Sequence, residues 1–198
     1  MEIIIASKNE GKIKEIKKLL PLPQVKWLTY KELPNWPKLK ESGQTYTENA
    51  TIKALTLAKK YQKPALGEDS GLEVAALNGQ PGLRSARYAG EKAGAADNIK
   101  LLLKNLSQVP PNKRQAQFVA VAVLAFPDGR LVKTKGVCRG QISLKPAGKS
   151  GFGYDPVFIP EGYQKTLAEL GVEEKNKLSH RAKALKQLEQ YLTQLVSS

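Results

Sequence analysis

The stretch AQFVAVAVLAF, residues 116–126, constrains the fold more than any other part of the chain. From residue 118 onwards every side chain is apolar, so a strand here presents an apolar surface on both of its faces. PDG follows at 127–129 and is typical of a tight turn, after which RLVKTKGVCRGQIS can return as the second strand of a hairpin. The segment therefore predicts the centre of a sheet that is covered on two sides.

The remaining periodicity predicts strands that alternate with helices. EIIIAS at the N-terminal end is a short β-branched run typical of a buried strand, and SKNEGKIKEIKKLL behind it carries apolar residues at helical spacing. A further strand is expected at 25–28, and helices are expected at 46–61, near 95–106 and from 180 onwards. The predicted fold class is α/β, as a single domain over residues 1–198.

LGEDSGLEV, residues 66–74, places two adjacent acids in a basic chain. Asp-Ser-Gly is ordinary turn chemistry, so the local prediction is a turn between short strands at 64–67 and 72–76. On that interpretation Glu68 and Asp69 are solvated turn residues. The alternative is that the two carboxylates serve a positively charged ligand.

The charge balance predicts affinity for anions, because 32 Lys and Arg residues oppose 18 acids and give a formal net charge of +14. These basic residues are scattered, without a Lys/Arg block or an aromatic RNA-binding signature, so nucleic acid is not an expected partner. No apolar run reaches the roughly 20 residues of a membrane span, so a membrane is not expected either. The first residues lack signal-peptide features and Cys138 is the single cysteine, which favours a cytoplasmic location.

ASKNEGK, residues 6–12, places polar groups where the first strand passes into a helix. Ser7, Asn9 and Lys12 could meet a phosphate there, together with free backbone N–H groups and the helix dipole. A structural role is the alternative, because Ser7 and Glu10 match an S-x-x-E capping box and Lys12 can be solvated.

The expected helix at 46–61 carries Asn49 and Lys53 four residues apart, and therefore on one face. Glu41 lies in the loop before this helix, where a carboxylate can turn towards a metal ion. Exposure to solvent is the ordinary alternative for all three side chains.

Two stretches nearer the C-terminal end suggest recognition of a flat ligand. In GFGYDP, residues 151–156, the glycines allow close approach, Phe152 can stack on a base and Asp155 is held by the following proline. In EEKNKLSHRAK, residues 173–183, Lys175, His180 and Arg181 offer hydrogen-bond donors around a helix start. Packing in the core is the alternative for the aromatic residues.

Six motifs in order resemble those of one family: SKNEGK, ESGQTYTENATIKA, EDSGLEV, PGLRSARYAG, FGYDPVF and EEKNKLSHRAKAL. They resemble the successive signatures of the inosine/xanthosine triphosphate pyrophosphatases, which remove non-standard purine nucleotides. The resemblance spans nearly the whole chain. It implies an elongated, two-lobed α/β fold with a long central mixed sheet flanked by helices, a nucleotide cleft between the lobes, and a homodimer.

The resemblance also implies which residues act on a nucleoside triphosphate. Asp69 matches the general base, and Asp69, Glu68 and Glu41 would hold Mg²⁺. The family usually has two aspartates before Ser-Gly, whereas this chain has Glu68 and then Asp69. The expected products are nucleoside monophosphate and pyrophosphate. The expected substrate contacts are Ser7, Lys8, Asn9, Glu10, Gly11, Lys12, Lys53, Ser70, Phe152, Gly153, Tyr154, Asp155, Lys175, His180 and Arg181.

Within this set, Asn9, Lys12 and Lys53 are expected at the phosphates. Lys175, His180 and Arg181 are expected to donate to the 6-oxo group of the base, and adenine, with a 6-amino donor, would leave them unpaired. Two other functions stay open on the sequence: a pyrophosphatase for modified pyrimidine triphosphates, and a basic nucleic-acid-binding protein whose acids are incidental.

Overall fold

The computed structural model describes residues 1–197, which contain six strands and five α-helices. The strands are β1 (Glu2–Ile5), β2 (Lys26–Leu28), β3 (Ala65–Val74), β4 (Gln115–Ala125), β5 (Leu131–Ile142) and β6 (Phe158–Pro160). The helices are α1 (Glu10–Leu19), α2 (Tyr46–Tyr61), α3 (Ala95–Asn105), α4 (Leu167–Leu178) and α5 (His180–Ser197).

All six strands belong to one sheet, in the order β2-β1-β3-β4-β5-β6. Strand β1 is parallel to β2 and to β3, whereas β5 and β6 are antiparallel, so the sheet is mixed. The predicted α/β class with a mixed sheet and flanking helices is confirmed. Within the described chain, the helices fall short of the length and apolar character that a membrane span needs.

The chain divides into two compact units that are each built from separate segments. Unit 1 comprises Met1–Asp69, Ala120–Gly136 and the chain from Arg181 onwards, and unit 2 comprises Ser70–Val119 and Val137–His180.

The core of unit 1 has two layers, one on each face of its strands. Ile3 and Ile5 of β1 pack with α1 and α5, and Ile4 packs with α2 on the opposite face. Strand β4 alternates in the same way: the first layer contains Ala120, Ala122 and Leu124, and the second contains Val121, Val123 and Ala125. The predicted covering of this apolar strand on two sides is confirmed.

Unit 2 has its own core between its strands and helix α3. Leu72 of β3 and Phe118 of β4 pack with Leu102 of α3. Cys138 of β5 is buried in the same cluster, where it acts as a small apolar side chain.

The predicted turn at Asp-Ser-Gly is wrong, because β3 runs without interruption from Ala65 to Val74. Glu68 and Asp69 lie in the middle of this strand and are only 4% and 7% exposed. Strand β3 lies between β1 and β4, and β1 pairs with it at Ala65 and Leu66, before the turn residues. The place of β3 in the sheet therefore overrides the local turn preference. The two carboxylates are therefore buried, and their charges need partners within the protein.

Candidate active site

Helix α1 brings Lys12 towards the buried acids through a cap that differs from the predicted one. Asn9 caps the helix, since its Oδ1 accepts a hydrogen bond from the backbone N–H of Lys12 at 3.1 Å. Ser7 Oγ accepts from the backbone N–H of Asn9 at 3.1 Å. The Glu10 carboxylate accepts from the Tyr30 hydroxyl instead of completing a capping box. The predicted box requires Ser7 as the N-cap, whereas the N-cap is Asn9 and the helix begins at Glu10.

Helix α2 lies unusually close to β3 at Gly67. A Cβ atom on Gly67 would lie 2.2 Å from the carbonyl oxygen of Ala50, so no larger residue fits without a shift of backbone. This approach brings two α2 side chains onto Asp69. Lys53 Nζ is 3.0 Å from Asp69 Oδ1, and Asn49 Nδ2 is 3.3 Å from Oδ2. Asn49 and Lys53 are both buried, so the alternative prediction that they face solvent is wrong.

Lys53 joins two of the three acids that were predicted to hold a metal. Its ammonium is also 2.8 Å from Glu41 Oε1, and the Glu41 side chain remains 35% exposed. Burial lowers the pKa of Lys53, but the charges of Asp69 and Glu41 outweigh burial, so the pKa is raised overall. Lys53 is therefore a firmly charged ammonium.

Glu68 is held by cations from two helices. Lys12 Nζ lies 2.8 Å from its Oε2, and Arg181 Nη2 lies 3.2 Å from its Oε1. The other terminal nitrogen of Arg181, Nη1, is paired with the Glu15 carboxylate. Arg181 was predicted to read the base beside His180. In this structure its guanidinium lies on carboxylates, because consecutive residues of a helix point about 100° apart and Arg181 faces the unit 1 interior. Base reading by Arg181 stays a prediction.

These contacts define a group that we call the acid–cation cluster. All of its members belong to unit 1. It has two parts, one on each side of β3: ion pairs link Glu15, Glu68, Lys12 and Arg181 on the side of α1 and α5, and polar contacts link Glu41, Asp69, Lys53 and Asn49 on the side of α2.

The environments of the two neighbouring acids shift their pKa values in opposite directions. Burial alone raises the pKa of Glu68, but Arg181 and Lys12 outweigh it, and the pKa falls far below its ordinary value. Burial also dominates at Asp69, and there the opposing effect of Lys53 is too small, so the pKa of Asp69 is raised. Glu68 is thus a permanent anion, whereas Asp69 is the better proton acceptor.

The donor set is compatible with Mg²⁺. Among residues 1–197, no group of three His, Cys, Asp or Glu side chains is arranged to enclose a metal ion. Mg²⁺ does not require such a cage, since it usually binds one or two carboxylates and completes its octahedron with water and phosphate oxygens. Glu68 and Asp69 are consecutive in β3 and face opposite sides of the sheet, Glu68 towards α1 and α5 and Asp69 towards α2. Asp69 and Glu41 share the Lys53 ammonium and are therefore the two carboxylates that fit a metal which a phosphate ligand helps to bind.

Unit 2 holds a second group of predicted residues around the GFGYDP loop. Asp155 Oδ2 accepts from the backbone N–H of Phe152 at 2.8 Å and from Lys175 Nζ at 2.6 Å. The same ammonium lies 4.6 Å from the centre of the Phe152 ring. Asp155 and Lys175 are 2% exposed, whereas Phe152 is half-buried. The loop therefore presents an aromatic ring on a rigid, charged support.

His180 is fixed by a ring that the sequence did not indicate. Its imidazole stacks on Phe118 of β4, with ring centres 4.6 Å apart and an angle of 11° between the planes. Tyr154 is a core residue whose hydroxyl donates to the Ser85 carbonyl at 2.9 Å. Burial raises the pKa of Tyr154, so the hydroxyl stays a donor.

The other predicted contacts are distributed along the loops and strands. Lys8 is exposed, with its ammonium 5.9 Å from the centre of the Tyr30 ring. Ser70 follows Asp69 in β3 and is half-buried. Gly11 lies in the first turn of α1, and Gly153 adopts a positive φ of 63° within the GFGYDP loop.

Glu15, Phe118 and Ser85 were missed from the sequence. A signal for Glu15 exists, because it follows Lys12 by three residues on α1 and therefore shares its face. Phe118 and Ser85 act through contacts between segments far apart in the chain, and no local pattern marks them.

The mixed sheet and the acid–cation cluster define an α/β protein with a buried charged centre of the kind that handles phosphorylated ligands. The chain belongs to the Ham1 family, whose model matches residues 3–191. It is 44% identical over 191 residues to a dITP/XTP pyrophosphatase of Halalkalibacterium halodurans, covering 96% of this chain and 98% of that protein. A dITP/XTP pyrophosphatase of Bdellovibrio bacteriovorus is 48% identical over 188 residues, with 94% of each chain covered.

A solved structure of a HAM1 protein from Coxiella burnetii superposes with a TM-score of 0.89 at 42% sequence identity. The match covers 98% of this chain and 99% of that one. The membership predicted from the six motifs is therefore confirmed, in sequence and in fold.

Proposed function

We propose that the protein hydrolyses non-standard purine nucleoside triphosphates, namely ITP, dITP, XTP and dXTP, to the monophosphate and pyrophosphate. This activity removes them from the nucleotide pool. The observation that carries the proposal is the buried pair Glu68 and Asp69, in which one carboxylate is held ionised and the other has a raised pKa. The names of the full-length relatives, dITP/XTP pyrophosphatase, support the same reaction.

Asp69 takes the role of general base. Its carboxylate accepts a proton from a water molecule whose oxygen attacks the α-phosphorus, and the bond from that phosphorus to the bridging oxygen breaks. A raised pKa suits this role, because a stronger base removes the proton more easily. Asn49 and Lys53 hold the carboxylate in place.

Lys12 and Lys53 supply the cations for the phosphates. Each is paired with an acid in this structure, at 2.8 Å for Lys12 and 3.0 Å for Lys53. Asp69 and Glu41 are the residues that would hold Mg²⁺, whereas metal binding by Glu68 stays a prediction from the sequence. When bound, this ion neutralises charge that develops on the leaving pyrophosphate. Lys12 and Lys53 would then pair with phosphate oxygens of the substrate in place of Glu68 and Asp69.

The unit 2 group is assigned to the purine base. Phe152 offers a ring for stacking, and Lys175 and His180 are donors suited to a 6-oxo group. The 6-amino group of adenine is itself a hydrogen-bond donor, so it would leave the donors of Lys175 and His180 unpaired. Each buried donor left unpaired costs about 1–3 kcal/mol. Arg181 takes no part in base reading in this assignment, because both of its terminal nitrogens serve carboxylates.

The test is a panel of nucleoside triphosphates assayed for pyrophosphate release with and without Mg²⁺. ITP, dITP and XTP should be hydrolysed far faster than ATP, and chelation of the metal should stop turnover. Preferred hydrolysis of a modified pyrimidine triphosphate would replace the purine assignment. Release of orthophosphate alone would contradict attack at the α-phosphorus.

We also propose a homodimer in the cytoplasm. Unit 2 has an open groove of about 580 Å³ that none of the predicted site residues lines. Glu73 and Arg139 lie on this surface, so a two-fold axis could pair the acid of each copy with the arginine of the other. Sedimentation equilibrium of Arg139→Glu should show monomers, and an unchanged dimer would place the interface elsewhere. A reducing cytoplasm suits a chain with a single, buried cysteine, Cys138.

A further inference from the structure

His180 lies at the junction of α4 and α5, where the backbone is held by packing. Ser179 separates the two helices with an extended backbone, and its N–H donates to the Lys175 carbonyl at 2.9 Å. His180 itself is 4% exposed. The junction therefore fixes where the His180 side chain begins, and the contacts of the imidazole set its torsions.

Phe118 of β4 sets the plane of the His180 ring. The two rings are nearly parallel, at 11°, with their centres 4.6 Å apart. Phe118 is buried and packs in turn on the fully buried Phe158, with ring centres 4.7 Å apart. All three residues belong to unit 2. The imidazole thus rests on a ring that is itself held in the unit 2 core.

A parallel stack controls the direction of hydrogen bonds, because the N–H groups of an imidazole lie in the plane of its ring. Rotation of the ring out of the stack would lose contact with Phe118 and would turn the N–H groups away at the same time. Phe118 therefore limits the directions in which His180 can donate. Such limits matter at a binding site, since a shift of about 1 Å in a positioning group can cost about 100-fold in rate.

The two aromatic residues next to the proposed base donors differ in what they can do. Phe152 lies 4.6 Å from Lys175 Nζ and is half-buried, so its ring can also meet a ligand. Phe118 is buried, and one face of its ring is covered by His180. An effect of Phe118 on the base would therefore be exerted through the imidazole.

We propose that Phe118 is a positioning residue for base selection, which holds the His180 imidazole in the plane from which it donates to a 6-oxo purine. The inference rests on the assignment of His180 to the base in the proposed function. It makes the preference for 6-oxo over 6-amino purines depend in part on a ring in the core.

The test uses His180 as a probe, because the sequence contains one histidine. Its ring protons give isolated NMR signals, which the ring current of a stacked Phe118 displaces upfield. Phe118→Leu removes the ring and should abolish this displacement. It should lower kcat/KM for ITP about 5- to 100-fold, the factor that one lost buried hydrogen bond represents, and kcat/KM for ATP by less than about 2-fold, because the 6-amino group offers no acceptor.

Three further variants separate positioning from packing. Phe118→Tyr keeps the ring and should retain both the upfield signals and the ratio of kcat/KM for ITP to that for ATP. Phe118→Met repeats the loss of the ring with a flexible side chain that fills irregular space, and should behave as Phe118→Leu does. Phe126→Leu is the matched control, since Phe126 is 5% exposed and packs on Tyr191 in unit 1. It should lose stability in urea while the His180 signals and the ratio stay as in wild type.

A folded Phe118→Leu or Phe118→Met protein with the wild-type ratio would overturn the proposal. Equal losses for ITP and ATP would also overturn it, because they would indicate a purely structural role. A narrowed ratio in Phe126→Leu would do the same, since loss of packing alone would then suffice. A wild-type protein that shows no preference for ITP over ATP would contradict the proposed function itself, whereas unchanged Phe118 variants of a selective wild type would contradict only the role of Phe118.

Discussion

At the scale of single residues, Glu68 and Asp69 show how burial and partners together decide what a carboxylate can do. Both acids lie in one strand and both are buried. Among residues 1–197, Glu68 pairs with two cations, Lys12 and Arg181, whereas Asp69 pairs with one cation, Lys53, and with the neutral amide of Asn49. The acid with two cations has a lowered pKa, and the acid with one has a raised pKa. The difference in partners therefore makes Glu68 the more firmly ionised carboxylate and Asp69 the stronger base.

Asp69→Asn should lower kcat by about 10²- to 10⁴-fold, the usual contribution of a general base. The amide keeps the shape of the carboxylate but accepts no proton. In wild type, kcat/KM should fall as pH falls through the pKa of Asp69, which is raised above the ordinary 3.8, because protonation removes the base. The measurement is a pH profile of pyrophosphate release for both proteins, with circular dichroism as a control on folding. A folded Asp69→Asn protein with near-normal turnover would contradict the assignment.

Arg181→Ala should lower kcat/KM for ITP and ATP by the same factor, because the proposed function assigns Arg181 to the Glu15 and Glu68 carboxylates, with which it pairs, and not to the base. It should also destabilise the protein by about 3–5 kcal/mol, the typical cost of removing one partner of a buried ion pair. Kinetics with both nucleotides and unfolding in urea provide the two measurements. A loss of kcat/KM confined to ITP would indicate that Arg181 reads the base.

At the scale of elements, the packing of α2 on β3 positions the catalytic carboxylate. Gly67→Ala places a methyl group 2.2 Å from the Ala50 carbonyl, so α2 must move away from β3. We expect a loss of about 1–3 kcal/mol in the free energy of unfolding, as for other overpacked cores, together with lower turnover. Gly94→Ala is the matched control, since its nearest contact would be an ordinary 3.6 Å. Equal free energies of unfolding in urea for the two variants would show that the close contact between Gly67 and Ala50 does not limit the stability of the fold.

The elements were largely predictable from the sequence because their signals are periodic and local. The spacing of apolar residues predicts α2 at 46–61, and the structure has Tyr46–Tyr61 with Thr45 accepting from the Glu48 N–H. The same local reasoning failed at β3, where turn residues form a strand because β3 is part of the sheet between β1 and β4, a non-local effect that overrides turn preference.

The site was only partly predictable for a related reason. Motifs identified Asp69 and Lys53, and the structure brings these two together. Glu15 and Arg181 are 166 residues apart in the chain, and only the packing of α1 and α5 in unit 1 joins them. Neither helix carries a pattern that points to the other, so a pair of this kind has no sequence signal.

At the scale of the whole molecule, the net charge of +14 should act on how fast the substrate arrives rather than on the chemical step. A triphosphate is strongly anionic, and the field of a cationic protein accelerates its encounter. Salt screens such long-range attraction, with a Debye length of about 30 Å at 0.01 M falling to about 10 Å at 0.1 M. Glu68 and Asp69 are buried, so their ion pairs within the acid–cation cluster should be screened far less. We therefore expect kcat/KM for ITP to fall several-fold between 0.01 and about 0.2 M KCl at constant Mg²⁺, while kcat changes little.

Steady-state kinetics across this salt series check the expectation, and neutralising part of the exposed charge provides its control. Lys17→Gln and Lys18→Gln together remove two exposed cations from the last turn of α1, outside the acid–cation cluster. This double variant should show a shallower dependence of kcat/KM on salt than wild type, with kcat unchanged, because a weaker field leaves less attraction to screen. A parallel fall of kcat and kcat/KM in wild type would contradict the argument, since salt would then be acting on the buried ion pairs and not on the approach of the substrate.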